Sequence, residues 1–129
     1  MSDRRYTLDA SALLAIFNNE SGSQEVEALL AKSHIGTVNL AEVAAKLSEY
    51  GTDDAEIVSS IGEMELSIVS FDERQALRAG VLRRATQRLG LSLGDRACLA
   101  LAALTSTTVL TADKAWAKLD IGVNIQVIR

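Results

Sequence analysis

The sequence has no proline and no long apolar run, and it has only one cysteine and one histidine. Each of these features excludes particular structures or classes of protein. No apolar stretch approaches the roughly 18 residues that a membrane-spanning helix requires, so we expect no membrane span. A single cysteine cannot form an internal disulfide, and the first residues lack the apolar stretch of a secretory signal. The sequence therefore predicts a cytoplasmic protein, with no proline to interrupt its helices.

The chain is mildly acidic, with 13 lysines and arginines against 17 aspartates and glutamates. A formal net charge of −4 argues against a protein that holds nucleic acid mainly through a diffuse basic field. It does not exclude one that works through bound cations, because carboxylates gathered around a divalent metal make a chain acidic while the occupied site is far less negative. The length of 129 residues predicts a single domain over residues 1–129.

Apolar segments of strand length alternate with longer segments of helical periodicity. Strands are predicted at Tyr6–Leu8, Ile35–Val38, Leu66–Val69, Thr108–Leu110 and Val123–Ile128. Because parallel strands need crossover connections, which are usually helical, the simplest architecture is an α/β fold. We expect a parallel sheet of about five strands with helices on both faces.

Helix boundaries are also marked in the sequence. A capping residue followed three positions later by an acid or amide predicts a helix start. Three such pairs occur: Asn39 with Glu42, Asp72 with Gln75, and Ser92 with Asp95. Glycines predict helix ends at Gly51, Gly62 and Gly90.

Four acids are predicted to meet at one end of the sheet. In an open parallel sheet, the binding crevice forms beyond the carboxyl ends of the strands. Asp9 follows the first predicted strand, Asp113 follows the fourth, and Glu42 lies one helical turn after the second. Asp95 begins the helix that leads into the fourth strand, so this helix must start at the same end of the sheet.

Each of these acids, taken singly, can be explained as a helix cap. Asp9 and Asp113 could be N-caps, whereas Glu42 and Asp95 fit the distal acid of a capping box. Taken together, four carboxylates in one crevice would repel one another unless a cation lay between them. Hard divalent ions such as Mg²⁺ prefer carboxylate oxygens, which suits a site without cysteine or histidine ligands. The sequence therefore predicts a metal site.

The acids lie in four short motifs. These are Leu8-Asp9-Ala10-Ser11, Asn39-Leu40-Ala41-Glu42-Val43, Leu91-Ser92-Leu93-Gly94-Asp95 and Leu110-Thr111-Ala112-Asp113. In their order and spacing, and over nearly the whole chain, these motifs resemble the acidic signatures of PIN domains, particularly VapC-type toxins. The resemblance implies a three-layer α/β/α fold with a central parallel sheet, and Mg²⁺- or Mn²⁺-dependent cleavage of RNA.

The same resemblance implies a role for particular residues. The implied site consists of the acids Asp9, Glu42, Asp95 and Asp113, supported by the hydroxyl groups of Ser11 and Thr111. Asp9 and Asp95 would be the principal metal ligands, and Asp113 would complete the coordination. Glu42 would orient the attacking water or help hold a second ion. The expected chemistry is in-line attack of a metal-activated water on a phosphodiester.

Protein partners are implied as well. PIN-domain toxins suggest a homodimer and a cognate antitoxin, whose C-terminal segment would lie in a groove and mask the acids. The apolar stretches Leu13–Phe17 and Val26–Leu30 could line such a groove, although core packing explains them equally well. The alternative function is a PIN-like module that has lost catalysis and only binds another protein, and the full set of acids argues against it.

Positive charge is concentrated in Asp72–Leu89. The arginines of this segment are Arg74, Arg78, Arg83, Arg84 and Arg88. They could follow an RNA backbone, but a solvated helix surface or a protein interface explains them at least as well. Arg96, Lys114 and Lys118 stand closer to the predicted crevice and are better candidates for phosphate contacts. Arg96 directly follows Asp95, where PIN domains more often have a small residue.

Other enzyme classes lack their signatures. A haloacid dehalogenase-type phosphatase would need an aspartate two positions after Asp9, where the chain has Ser11. A Rossmann oxidoreductase would need a glycine-rich turn after the first strand. A metal-free ribonuclease would need an acid–base pair, whereas His34 is the single histidine and is interpreted as a strand-entry residue. Cys98 and Trp116 are interpreted as packing residues.

Overall fold

A computed structural model describes residues 3–129 of the chain. Met1 and Ser2 belong to the segment in which a secretory signal is predicted to be absent, and they lie outside the described residues. None of the helices within residues 3–129 is long and apolar enough to cross a membrane.

Five parallel strands form the centre of the fold. They are β1 (Tyr6–Leu8), β2 (Ser33–Gly36), β3 (Ser67–Val69), β4 (Thr108–Thr111) and β5 (Ile125–Val127). The order across the sheet is β3-β2-β1-β4-β5, and every neighbouring pair is parallel. Because Leu8 pairs with Leu110, the residues that follow β1 emerge beside the end of β4.

Helices cover both faces of this sheet. The α-helices are α1 (Ala10–Phe17), α2 (Ser23–Leu29), α3 (Thr37–Glu49), α4 (Asp54–Glu63), α5 (Glu73–Val81), α6 (Arg83–Thr86) and α7 (Leu93–Thr105). Short 3-10 helices cover Leu30–Lys32, Gln87–Leu89 and Lys114–Lys118. The predicted three-layer α/β/α arrangement is confirmed.

The core has two parts, one on each face of the sheet. Adjacent strand residues point to opposite faces, so Leu110 packs with α1 to α4 while Val109 packs with α7. Cys98 and Trp116 are buried in the second cluster, which confirms that both are packing residues. On the first face, most of the two apolar stretches proposed as groove lining lies in or against the core, since Leu13 and Val26 are fully buried.

The second strand ends earlier than predicted, at Gly36 rather than Val38. Thr37 and Val38 are β-branched and extend the apolar run, but they form the first turn of α3 because the helix follows the strand without a loop. Asn39 was predicted to be a helix cap from its spacing to Glu42, but it lies inside α3 and is not a cap. Gly36 occupies that position.

The other two predicted caps are confirmed. Asp72 caps α5 and accepts a hydrogen bond from the Gln75 N–H at 2.9 Å. Ser92 and Asp95 form a reciprocal capping box at the start of α7. Gly62, predicted to end a helix, instead lies inside α4, which continues for one more residue.

Candidate metal centre

A cleft of about 370 Å³ opens at the carboxyl ends of β1 and β4. The structure brings all four predicted acids to it: Asp9, Glu42, Asp95 and Asp113. They come from four places in the sequence, namely the ends of β1 and β4, the second turn of α3 and the first turn of α7. Ser11 on α1 also lines this cleft. Long-range topology, rather than any local motif, therefore creates the site.

Asp9 lies at the bottom of the cleft and is only 5% exposed. Its position precedes α1, but its side chain makes no capping hydrogen bond, so the capping explanation does not hold here. Asp9 Oδ2 instead accepts hydrogen bonds from Ser11 Oγ at 2.6 Å and Thr111 Oγ1 at 3.0 Å. Burial raises the pKa of Asp9, these two hydroxyls oppose the rise, and the charge of Asp95 adds to it.

The two hydroxyl groups are themselves oriented by the backbone after β4. Ser11 Oγ accepts a hydrogen bond from the Ala112 N–H at 2.9 Å, and Thr111 Oγ1 accepts one from the Asp113 N–H at 3.1 Å. A hydroxyl has a single proton to donate, and each of these directs it to Asp9. Ser11 and Thr111 therefore favour the ionised form of a carboxyl group that burial disfavours.

Glu42 is half-buried and is held between α3 and α7. Its Oε1 accepts a hydrogen bond from Asn39 Nδ2 at 2.8 Å, and the same amide donates to the Gly94 carbonyl oxygen at 3.0 Å. A Cβ atom at Gly94 would lie 2.7 Å from Glu42 Cδ, so only glycine leaves room for this carboxylate. Burial raises the pKa of Glu42, the Asn39 amide opposes the rise, and the charges of Asp9 and Asp95 add to it.

Asp95 and Asp113 act as caps and also line the cleft. Asp95 Oδ2 accepts from the Ser92 N–H at 2.9 Å. Asp113 Oδ1 accepts from the Ala115 N–H at 3.0 Å, at the start of the 3-10 helix. The capping interpretation is therefore correct for both residues. In the described part of the chain, the other oxygen of each carboxylate makes no hydrogen bond.

No lysine or arginine within residues 3–129 forms an ion pair with any of the four acids. The ion pairs within residues 3–129 are Lys46 with Glu49 and Arg129 with Glu20. Among these residues, no three histidine, cysteine, aspartate or glutamate side chains stand close enough to form a ready-made ligand group for a metal ion. The donor set still fits a hard cation, since it consists of oxygen atoms whose like charges repel one another. Side-chain rotation would have to bring the ligands together.

Sequence reasoning missed several residues that line the cleft. On α3 these are Ala45, Lys46 and Glu49, which share one helix face with Glu42. Positions three, four and seven residues after a helical residue lie on its face, so helical periodicity could have identified them. Lys46 Nζ lies 3.3 Å from Glu49 Oε2. Leu14 on α1 also lines the cleft, and it belongs to the stretch Leu13–Phe17 that was proposed as groove lining.

Trp116 lines the cleft from the 3-10 helix as well as packing in the core. It is 1% exposed, and its indole Nε1 has no hydrogen-bond partner within the described residues. Its interpretation as a packing residue is thus correct but incomplete. No motif in the sequence indicated that this side chain would reach the cleft.

The predicted phosphate contact by Arg96 is wrong. Arg96 is buried, and its Nη1 donates to the Ala79 carbonyl oxygen of α5 at 3.0 Å, so the side chain joins two helices instead of reaching the cleft. Consecutive helical residues point about 100° apart, which separates Arg96 from Asp95. Lys114 and Lys118 are exposed on the 3-10 helix beside Asp113, and their phosphate contacts stay predictions.

Comparisons with known proteins agree with this architecture. A family model described as PIN domain matches residues 6–122, whereas a comparison with curated proteins gives no significant match. The chain is similar to DNA-bound VapBC from Salmonella typhimurium, with a TM-score of 0.77 and 17% identity over 98% of this chain and 99% of that one. It is also similar to a toxin-antitoxin complex from Klebsiella pneumoniae, with a TM-score of 0.75 and 20% identity over 96% and 98%. For VapBC-5 from Mycobacterium tuberculosis, the TM-score is 0.66 and the identity 22% over 97% and 98%.

Proposed function

The chain belongs to the PIN domain family, and from that premise we propose that it is a Mg²⁺- or Mn²⁺-dependent endoribonuclease, the toxin of a toxin–antitoxin pair. PIN domains are generally nucleases. The observation that carries the proposal is the cleft in which Asp9, Glu42, Asp95 and Asp113 meet, none of them in an ion pair with another described residue. Repulsion between these carboxylates lowers the stability of the fold unless a positive ion lies between them.

Asp9, Asp95 and Asp113 would hold the ion. Asp95 and Asp113 each use one carboxylate oxygen as a cap, which fixes the side chain and leaves the second oxygen for a cation. Ser11 and Thr111 favour the ionised form of Asp9 by donating to Oδ2. When bound, Mg²⁺ or Mn²⁺ supplies a Lewis acid that stabilises charge on phosphate oxygens and lowers the pKa of a water molecule.

Glu42 is the acid best suited to accept a proton from the attacking water. Its raised pKa brings it closer to the value at which a carboxylate acts as a base near neutral pH. Asn39 donates to one of its two carboxylate oxygens and holds the side chain in place. Glu42 therefore combines a fixed position with an increased proton affinity.

The test is cleavage of a mixed RNA sample with Mn²⁺ or with chelator. We expect cleavage only with metal, and at least a hundredfold loss, of the order expected for removal of a metal ligand, in Asp9→Asn and Asp95→Asn. Asp72→Asn is the matched control, since Asp72 caps α5 outside the cleft, and it should stay active along with His34→Ala and Cys98→Ala. An inactive His34→Ala variant with both cleft aspartate variants active would overturn the mechanism.

The antitoxin part of the proposal is supported by the structural neighbours, several of which are toxin–antitoxin complexes. An apolar groove of about 410 Å³ between α3 and α4 offers a place for a partner segment, and exposed Val58 lies in it. A homodimer is part of the same proposal.

Expression of the chain alone should arrest growth, and co-expression of a neighbouring small protein should relieve the arrest. Equal arrest by Asp95→Asn would indicate sequestration of a target without cleavage.

A further inference from the structure

A strongly basic surface lies outside the acidic cleft, in a chain whose formal net charge is −4. Its members, here called the arginine surface, are Arg74, Arg78, Arg83, Arg84 and Arg88. All five side chains are exposed. The acids in the same segment are Asp72 and Glu73, and Asp72 is occupied as the cap of α5. The segment therefore presents an excess of positive charge to solvent.

The five arginines do not hold the segment in place. Within residues 3–129, none of them forms an ion pair or a hydrogen bond through its side chain. Gln75, Ala79 and Thr86 are instead the buried anchors, and Gln75 Nε2 donates to the Ser70 carbonyl oxygen at 2.9 Å. Because neighbouring like charges repel, five unpaired guanidinium groups on one segment have no stabilising role in the isolated chain.

The helix that begins this surface, α5, packs against α7, the helix that brings Asp95 to the cleft. Arg96 donates to the Ala79 carbonyl oxygen at 3.0 Å, so the last turns of α5 lie against the first turn of α7. That first turn also carries Asp95, which lines the cleft. A concave site of about 530 Å³ lies at the end of α5, and Arg83 and Arg84 line it. Arg83 and Arg84 therefore lie on the segment that connects α5 to α7, the helix that carries Asp95.

We propose that the arginine surface binds the phosphate backbone of RNA next to the cleft, with Arg83 and Arg84 as the nearest contacts. This inference rests on the proposed ribonuclease function. A row of like charges fits a partner whose opposite charge repeats along its length, and guanidinium groups match phosphate geometry. The acidic cleft cannot itself attract a polyanion before a metal is bound, so an adjoining basic surface would supply that attraction.

The exposed side chains of Leu77 and Val81 on α5 suggest the competing occupant, a protein. Leu77 is 65% exposed and Val81 74% exposed. Neither side chain carries a negative charge that would balance the arginines. The positive excess therefore favours RNA, and a protein interface becomes one of the outcomes of the test.

The test compares two double variants that remove the same charge. Arg83→Gln with Arg84→Gln changes the arginine surface, whereas Arg5→Gln with Lys32→Gln removes two exposed cations before β1 and β2, at the other end of the sheet. Binding of a fluorescein-labelled single-stranded oligoribonucleotide is measured by anisotropy in chelator at several salt concentrations. We expect the first variant to weaken binding about fivefold to tenfold and to reduce the salt slope by about 1.4, since each lost phosphate contact removes about 0.7. The control should match the original chain.

Cleavage separates this inference from the proposed function. With Mn²⁺, the Arg83 and Arg84 variant should raise KM for a long RNA while kcat stays close to that of the original chain. Cleavage of a short oligonucleotide that fills only the cleft should not change. Active enzyme with equal RNA binding in both double variants would overturn the inference and leave the ribonuclease standing. A change in self-association instead of RNA binding would assign the surface to a protein partner and likewise overturn it.

Discussion

At the amino end of the sheet, buried polar side chains form hydrogen bonds with one another. At the carboxyl end, four side chains of the same negative charge lie close together. Thr7 Oγ1 lies 2.7 Å from His34 Nε2 and 2.6 Å from Thr107 Oγ1. Thr105 Oγ1 continues this chain at 3.0 Å from Thr107 Oγ1. Each hydroxyl and the bonded ring nitrogen finds a partner within the fold, as buried polar groups require.

The carboxyl end also contains polar contacts, but the negative charge of its carboxylates is not balanced. Hydroxyl and amide groups orient Asp9 and Glu42, yet no cation approaches either carboxylate within the described residues. Both pKa values are raised by burial. Charge balance, rather than hydrogen bonding, therefore distinguishes a structural polar cluster from one whose completion needs a ligand. We expect stability to depend on the first cluster and activity on the second.

Apart from the substitutions of the metal ligands themselves, the largest effect is expected from Gly94→Ala, which places a methyl group against the Glu42 carboxylate. Displacing this acid should lower RNA cleavage about tenfold to a hundredfold, as changes beside metal ligands commonly do. Gly62→Ala, inside α4, is the matched control, because nothing lies within 4 Å of a Cβ atom there. Steady-state cleavage rates measure both variants. Full activity in Gly94→Ala would show that the position of Glu42 does not matter.

His34→Ala should show the opposite behaviour, with lost stability and retained cleavage. The ring is buried and bonded to Thr7, so its removal leaves a cavity and one less partner in the polar chain. We expect a loss of about 2 kcal/mol in the free energy of unfolding. Urea denaturation measures it, alongside cleavage at a temperature where both proteins are folded. Unchanged stability would contradict the structural role given to the amino end.

The smallest effects concern pH, and the two ends should act in opposite directions. Burial lowers the pKa of His34 from its ordinary 6.5, so its contribution to stability is present above pH 6.5 and is lost as pH falls through the lowered value. Burial raises the pKa of Asp9 from 3.8, so its contribution is present below 3.8 and is lost as pH rises through the raised value. Glu42 acts in the same direction as Asp9, starting from 4.5.

Melting temperatures in chelator across this pH range provide the measurement. Asp9→Asn should reduce the loss on the alkaline side alone, and His34→Ala should reduce the loss on the acidic side alone. If the two substitutions flattened the same side of the profile, the assignment of opposite roles to the two ends would fail.

The sequence was sufficient to predict the convergence of the acids. Asp9 and Asp113 follow strands, and parallel strands end on the same side of a sheet, so their proximity depends only on the α/β pattern. Asp95 could be placed because its capping box marks where α7 begins. These features are local in the sequence, and the parallel direction of the strands then places the acids at one end of the sheet.

The features that could not be predicted depend on rotation and on contacts distant in sequence. Arg96 follows Asp95 but points toward Ala79, because one residue of helix turns the side chain away from the cleft. The Asn39 amide contacts Gly94, which lies 55 residues away. The end of β2 was misplaced because Thr37 and Val38 favour strands in isolation, and only packing makes them helical.

Calorimetric titration with Mn²⁺ measures whether the four acids bind a divalent ion. The original chain is compared with Asp95→Asn and with Asp72→Asn, both of which keep an oxygen that can accept the capping hydrogen bond. We predict binding by the original chain and by Asp72→Asn, and an affinity at least about tenfold weaker for Asp95→Asn. Equal Mn²⁺ affinity in all three proteins, or no binding by the original chain, would contradict the account.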